Sequence, residues 1–193
     1  MLRVLAIVLV LASTAHADAQ LALVTGSAWQ PSSGTDSREA PGPGLALDII
    51  SARDGFSVGG HFGWISGWNR TIQDGIPSDI RYFDWLLQAH VLFQYRDDRL
   101  AIGAGVGIDD HHASGHYADA APDQAAPWTD NHAALGAHLQ ASYDVASIDA
   151  GTFAAYAGAG MFHIFHPADL CAGECTAPRQ TYALWVGAAF RFR

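Results

Sequence analysis

Apolar residues recur at every second position in several separate stretches of this chain. In one stretch the odd positions from Phe83 to Tyr95 are all apolar, while the even positions between them include Gln88 and His90. The same alternation occurs in residues 100–108, 133–145 and 184–192. A period of two sends side chains alternately to the two faces of a β-strand, so the pattern predicts strands with one apolar and one mixed face.

Eight strands are predicted in this way. Their bounds are Gln20–Ala28, Leu45–Ser51, Phe56–Gly67, Tyr82–Arg96, Leu100–Ile108, Ala133–Val145, Thr152–Phe162 and a last strand that follows Arg179 and ends at Phe192. The connections alternate between long ones, at 31–44, 68–79, 109–131 and 163–179, and short ones, at 53–55, 97–99 and 147–151. This order predicts an all-β fold, an eight-stranded antiparallel up-and-down transmembrane β-barrel with long outer loops and short periplasmic turns.

The mixed faces of the predicted strands suit the interior of a narrow barrel. They carry few charges and many glycines, whereas a solvated sheet surface would carry more charge. The interior is predicted to include large side chains that block an open path, among them Leu86, Leu92, Trp185, His90, His138 and Arg191. Eight strands enclose an interior that side chains can fill, so no porin-like conductance is expected.

The N-terminal residues are typical of a secretory signal peptide. A short positive start, Met1-Leu2-Arg3, precedes an apolar run from Val4 to Ala12 that is too short to span a bilayer. Two overlapping small-x-small sites then predict cleavage after Ala17 or Ala19. The expected organisation is a signal peptide over residues 1–19 and one barrel domain over residues 20–193.

The last strand carries a resemblance to a known family. Leu184, Val186, Ala188, Phe190 and Phe192 form an apolar face, and the strand ends in aromatic residues. In this feature the chain resembles the small outer-membrane β-barrels of Gram-negative bacteria, of the OmpX/OmpA type. The resemblance implies a monomer in the bacterial outer membrane whose loops face the cell exterior. It also implies contact with outer-membrane lipid and lipopolysaccharide, and recognition of the C-terminal strand by the assembly machinery.

Composition agrees with a membrane-embedded barrel. Half of the residues are apolar and only 15% are charged, whereas soluble domains carry about 25% charge. The net charge of −9 argues against a nucleic-acid partner, which would require a basic surface.

Candidate chemistry in the predicted interior consists of His61, His90 and His138, with Asp48, Asp84 and Arg191 on the same side. One interpretation is a metal site, or the acid and base residues of an enzyme that modifies outer-membrane lipid. The other is a satisfied polar network that fills the interior, and this second interpretation is favoured because buried polar groups must pair. We therefore predict no catalytic residues and no cofactor.

The longest predicted loop contains His111, His112 and His116, which are weak candidates for Zn²⁺ or Cu²⁺ ligands. A solvated acidic loop is the favoured interpretation. Cys171 and Cys175 both fall in the last long loop, and an oxidising compartment predicts a disulfide between them.

Together these observations predict a non-enzymatic integral outer-membrane barrel with a structural or surface-interaction role in its extracellular loops. Two alternatives stay open: a barrel enzyme that modifies outer-membrane lipid, and a soluble secreted β-protein that binds a small ligand.

Overall fold

Nine antiparallel β-strands make up the fold. A computed structural model describes residues 17–29, 35–51, 55–73, 76–82, 85–115, 128–165 and 180–192. The strands are β1 (Ala17–Trp29), β2 (Thr35–Ser51), β3 (Gly55–Gln73), β4 (Ile76–Tyr82), β5 (Trp85–Asp97), β6 (Leu100–Gly115), β7 (Trp128–Ile148), β8 (Gly151–Ile164) and β9 (Gln180–Phe192).

Eight of these strands close into a barrel, as predicted. Each pairs with its neighbours in chain order, and β1 pairs with β9 to complete the ring. The ninth strand, β4, lies outside this ring. It pairs with the last residues of β3, while the earlier residues of β3 pair with β5. The predicted strand Tyr82–Arg96 therefore corresponds to the end of β4 followed by β5.

Several strands are longer than the alternation of apolar residues predicted. The predicted bounds of the loop 109–131 are wrong at both ends, because β6 continues to Gly115 and β7 begins at Trp128. Likewise β2 begins at Thr35, and β3 and β4 occupy most of 68–79. Strand pairing needs only the backbone, so a hairpin can continue beyond the region where its outer face is apolar.

The two faces of the barrel wall are those predicted from the alternation. Large apolar side chains point outward and are widely exposed, as for Leu23, Ile108, Leu139 and Val186. Their strand neighbours point inward and are buried. A solvent-facing surface would not be so apolar, whereas the outer band of a membrane barrel must be.

Aromatic side chains cluster near the short-turn end of the barrel. Phe56 contacts Tyr95 with ring centroids 5.0 Å apart, and Phe153 contacts Phe190 at 4.8 Å. At the other end Trp85 stacks on His112 with ring centroids 4.8 Å apart. Aromatic residues at both edges of the apolar band are typical of the two membrane interfaces.

The short turns have the backbone geometry that their sequences favour. Gly55, at the end of the first short turn, has φ of 90°, a region that glycine adopts without steric cost and that tight hairpin turns require. In the turn between β5 and β6, Asp98 has φ of 46°. Aspartate is one of the few residues with a side chain that tolerates this region.

Large and small residues interleave in the barrel interior. Trp185, Phe162, Leu86 and Leu92 are all almost completely buried there, as was predicted for Trp185, Leu86 and Leu92. Glycines opposite the bulky groups make room for them: a Cβ atom built on Gly158 would overlap the Trp185 indole. The interior is therefore filled by side chains rather than open.

One pair of glycines tests this interleaving. A Cβ on Gly105 would overlap the His138 imidazole, whereas a Cβ on Gly60 would meet only Phe62, 3.4 Å away on the outer surface. We expect Gly105→Ala to lower the free energy of unfolding by about 1–3 kcal/mol, because it displaces the imidazole. Gly60→Ala is the matched control and should have little effect. Urea unfolding in lipid vesicles measures both, and equal losses would contradict the interior packing.

No helix among the described residues is long and apolar enough to cross a membrane. The predicted signal peptide lies largely in residues 1–16, outside the described ranges, and Ala17 and Ala19 stand at the beginning of β1.

Candidate functional site in the barrel interior

Three histidines that were predicted to face the interior lie against one another there. His61, His90 and His138 project from β3, β5 and β7 and are at most 4% exposed. The His138 ring centroid lies 4.3 Å from that of His61 and 4.8 Å from that of His90. His61 and His90 are direct cross-strand partners, and their ring centroids are 5.9 Å apart. We call these three residues the histidine cluster.

Asp48 is the centre of the hydrogen bonds around the cluster. Its Oδ1 lies 2.7 Å from His61 Nδ1, and its Oδ2 accepts hydrogen bonds from Gln140 Nε2 at 2.8 Å and from Gln20 Nε2 at 3.3 Å. The residue is only 1% exposed. A buried carboxylate is tolerated when several donors satisfy it, and here three side chains from three other strands do so.

Gln140 fixes the protonation of His138. Its amide nitrogen donates to Asp48, so its Oε1 is the acceptor for Tyr156 Oη at 2.9 Å and for His138 Nε2 at 3.0 Å. His138 Nε2 therefore carries a hydrogen. In neutral imidazole the other nitrogen, Nδ1, is then an acceptor.

His90 connects His138 to Asp109. The Nδ1 atoms of His90 and His138 are 2.5 Å apart, so His90 must donate the hydrogen between them. The other nitrogen of His90, Nε2, lies 2.9 Å from Asp109 Oδ1. Because His90 Nδ1 carries the hydrogen donated to His138, Nε2 of a neutral His90 would be an acceptor that faces an acceptor oxygen of Asp109. One further proton must therefore lie between His90 Nε2 and Asp109 Oδ1.

These contacts form one continuous chain of hydrogen bonds across the barrel. It begins at Asp109 on β6 and passes through His90, His138 and Gln140 to Asp48 on β2, which pairs with His61 on β3. The chain connects strands that are distant in sequence, so it holds opposite walls of the barrel together. Its members are all less than a tenth exposed, so the chain is buried in the barrel interior.

A second polar cluster lies towards the short-turn end. Asp144 Oδ2 accepts hydrogen bonds from Arg191 Nη2 at 2.5 Å and from Arg96 Nη1 at 3.2 Å. These side chains are 13–15% exposed, so water reaches them to a limited extent. Because two arginines share one carboxylate oxygen through charge-assisted hydrogen bonds, this cluster links β5, β7 and β9.

Solved structures with the same architecture include three outer-membrane proteins. Neisserial surface protein A is 14% identical, covers 92% of this chain and 98% of its own, and superposes with a TM-score of 0.51. Ail, the attachment invasion locus protein of Yersinia pestis, is 10% identical over 91% of this chain and 97% of its own, with a TM-score of 0.53. A major outer membrane protein from Thermus thermophilus is 16% identical over 90% of this chain and 99% of its own, with a TM-score of 0.55.

This chain has the fold of the small eight-stranded outer-membrane β-barrels. No protein-family model matches it, and no curated protein sequence does. With identities this low, the likeness concerns the fold of the small barrels and does not assign roles to individual residues. The interior network described above is therefore interpreted from the residues of this chain.

Sequence reasoning did not place Asp109 in that network. Asp109 was assigned to the first position of a long loop, yet it lies in β6 with its side chain inside the barrel. The signal was present, since Gly105, Gly107 and Asp109 continue the inward-facing alternation. The predicted strand ended at Ile108, the last apolar residue of its outward face, and therefore excluded Asp109. Asp84, predicted to face the interior, lies outside the described residues.

Of the three histidines proposed as weak metal ligands, the structure describes His111 and His112, which point to opposite faces of β6. His111 and His112 are consecutive in β6, so His111 is buried inside, opposite His132, while His112 lies on the outer face. There His112 Nδ1 is 2.7 Å from Asn131 Oδ1. His116 lies outside the described residues, as do Cys171 and Cys175, whose disulfide stays a prediction. Within the described ranges, no group of three or more His, Cys, Asp or Glu side chains has the geometry of a metal site.

Proposed function

We propose that this protein is a non-enzymatic integral protein of the bacterial outer membrane, with a structural or surface-interaction role carried by its extracellular loops. The observation that carries the proposal is the combination of an apolar outer wall with a filled polar interior. The outer wall fits lipid, and the interior leaves no open channel for transport. What remains for interaction is the long-loop end of the barrel.

The interior network supports a structural rather than a catalytic role. Its acid and base groups hydrogen-bond one another and are sealed from the exterior, so they have no access to lipid substrates. A lipid-modifying barrel would need such groups at the rim or on the membrane face.

The partners that follow from this proposal are outer-membrane lipid and lipopolysaccharide along the wall, and the assembly machinery at β9. One similar structure, that of Ail, contains the heparin analogue sucrose octasulfate. We do not propose a sulfated polyanion as the partner of this chain, because its net charge of −9 would repel one. A neutral or cationic surface partner fits the charge better.

Orientation is tested by adding proteinase K to intact cells. We expect cleavage within residues 116–127, between β6 and β7, while the strands stay protected by the membrane. A folded barrel should also migrate faster on a gel when it is not boiled, and this mobility shift is the control for membrane assembly. Cleavage at the turn around Asp98 instead would reverse the orientation, and loss of the mobility shift would contradict the barrel.

A further inference from the structure

The contact between His90 and His138 has room for a single hydrogen. Their Nδ1 atoms face each other at 2.5 Å, so one nitrogen carries the hydrogen and the other must accept it with a lone pair. His138 provides that lone pair, because its Nε2 hydrogen is used by Gln140 Oε1. The only nitrogen of His138 that can take up another proton is therefore the one that holds His90.

A proton on His138 Nδ1 would turn this hydrogen bond into a repulsion. Two N–H groups would then point at each other, and a positive ring would lie 4.3 Å from the His61 ring and 4.8 Å from the His90 ring. His61 contacts the Asp48 carboxylate and His90 contacts the Asp109 carboxylate, whereas His138 contacts neither. Its polar partners are a glutamine oxygen and another imidazole.

The charged and titratable groups that surround His138 come from several strands, and each has another partner. They are Asp48 on β2, His61 on β3, His90 on β5, Asp109 on β6 and Tyr156 on β8, with Arg96, Asp144 and Arg191 further towards the short-turn end. Asp48 already accepts from His61, Gln140 and Gln20, and Asp109 faces His90. A positive charge on His138 would thus have no carboxylate in direct contact with its ring.

The histidine cluster also occupies the middle of the interior. The His138 imidazole fills the space above Gly105, and the His90 ring lies against Gly107. If these rings separate, the glycines of β6 provide no side chain to take their place, and the bulky group that remains beside them is Trp185, whose ring centroid lies 6.0 Å from that of His138. The His90–His138 contact is therefore one of the contacts that fill this part of the interior, and it is the one that an extra proton would break.

We propose that the histidine cluster is a pH-sensitive plug: protonation of His138 at Nδ1 separates the rings and opens the interior to water and small ions. This inference rests on the proposed function, since it requires a membrane-inserted barrel. The proposal adds that the barrel interior is closed at neutral pH. The opening requires one more proton in a buried cluster, so it is expected on the acid side of the ordinary titration range of histidine.

The test is current recorded through purified, refolded protein in planar bilayers. We expect no steps at about pH 7 and reproducible small steps at about pH 3, reversible on neutralisation, because a buried imidazole gains its charge only below the ordinary titration range of histidine. The variant His138→Gln should lose the acid-induced steps. His112→Gln, which changes a histidine on the outer face, should keep them and is the matched control.

The gel-mobility shift of the same sample distinguishes failure of the plug from failure of the barrel. A sample without the shift contradicts the proposed membrane barrel itself. A sample with the shift but without acid-induced steps overturns the plug, and so do acid-induced steps that persist in His138→Gln. If that variant does not fold, ¹⁵N imidazole spectra of the unchanged protein decide: His138 should gain its proton over the same pH range as the opening, and opening without that change overturns the proposal.

Discussion

Replacing Asp48 with alanine is expected to lower the free energy of unfolding by about 3–5 kcal/mol, because the donors around this carboxylate lose their acceptor while they stay buried. His61, Gln140 and Gln20 all direct a nitrogen at Asp48. Asp48 is only 1% exposed, so bulk water does not replace the missing oxygens. Urea unfolding of the refolded barrel in lipid vesicles, followed by tryptophan fluorescence, measures the loss.

The matched control is Asp97→Ala. Asp97 is exposed beside the turn between β5 and β6, and substitutions at such positions change stability by about 0.5 kcal/mol or less. If Asp48→Ala were as mild as this control, the hydrogen-bonded centre described for the interior would be wrong. For Asp48→Asn we expect an intermediate loss of free energy of unfolding. The amide keeps one acceptor oxygen for His61, but its NH₂ group directs hydrogens at the amide nitrogen of Gln140.

Arginine at the centre of the outer wall is the second change with a large expected effect. Leu139 is 64% exposed midway along the apolar face of β7, and Val186 is 57% exposed on β9. We expect Leu139→Arg or Val186→Arg to cost about 2–4 kcal/mol and to reduce membrane assembly strongly, because a charge at the bilayer midplane loses its hydration. The fraction of protein with the folded gel mobility, after refolding into vesicles, measures this effect.

Val145→Arg is the control for depth. Val145 is also on the outer face of β7 and is 65% exposed, but it lies past Tyr143 near the short-turn end. There the expected cost falls to about 0–1 kcal/mol, since the arginine can reach water at the interface. Equal effects of Leu139→Arg and Val145→Arg would show that the apolar wall does not face a bilayer.

Much of the barrel could be predicted from the chain alone. Alternation assigned the inward and outward faces correctly, including the burial of Trp185 and of the three histidines. That success has a simple cause, because in a barrel every strand lies between lipid and a packed interior. Neighbouring side chains therefore face opposite environments along the whole crossing.

Strand lengths were predicted less well, for a reason that applies beyond the membrane. Outside the apolar band both faces can be polar, so the alternation fades while the backbone pairing continues. This is why β6 extends to Gly115, and why the strand β4 was read as part of a loop. Asp109 was lost from the predicted interior at the same boundary.

The amino-acid sequence by itself determined the class of fold, the sidedness of each strand and the residue types available inside the barrel. Which of those residues meet was decided only by the tertiary structure. His90 and His138 are 48 positions apart, and Gln140 and Asp48 are 92 apart. Their contact depends on the register of every strand pair and on closure of β1 against β9, and local alternation carries no information about either.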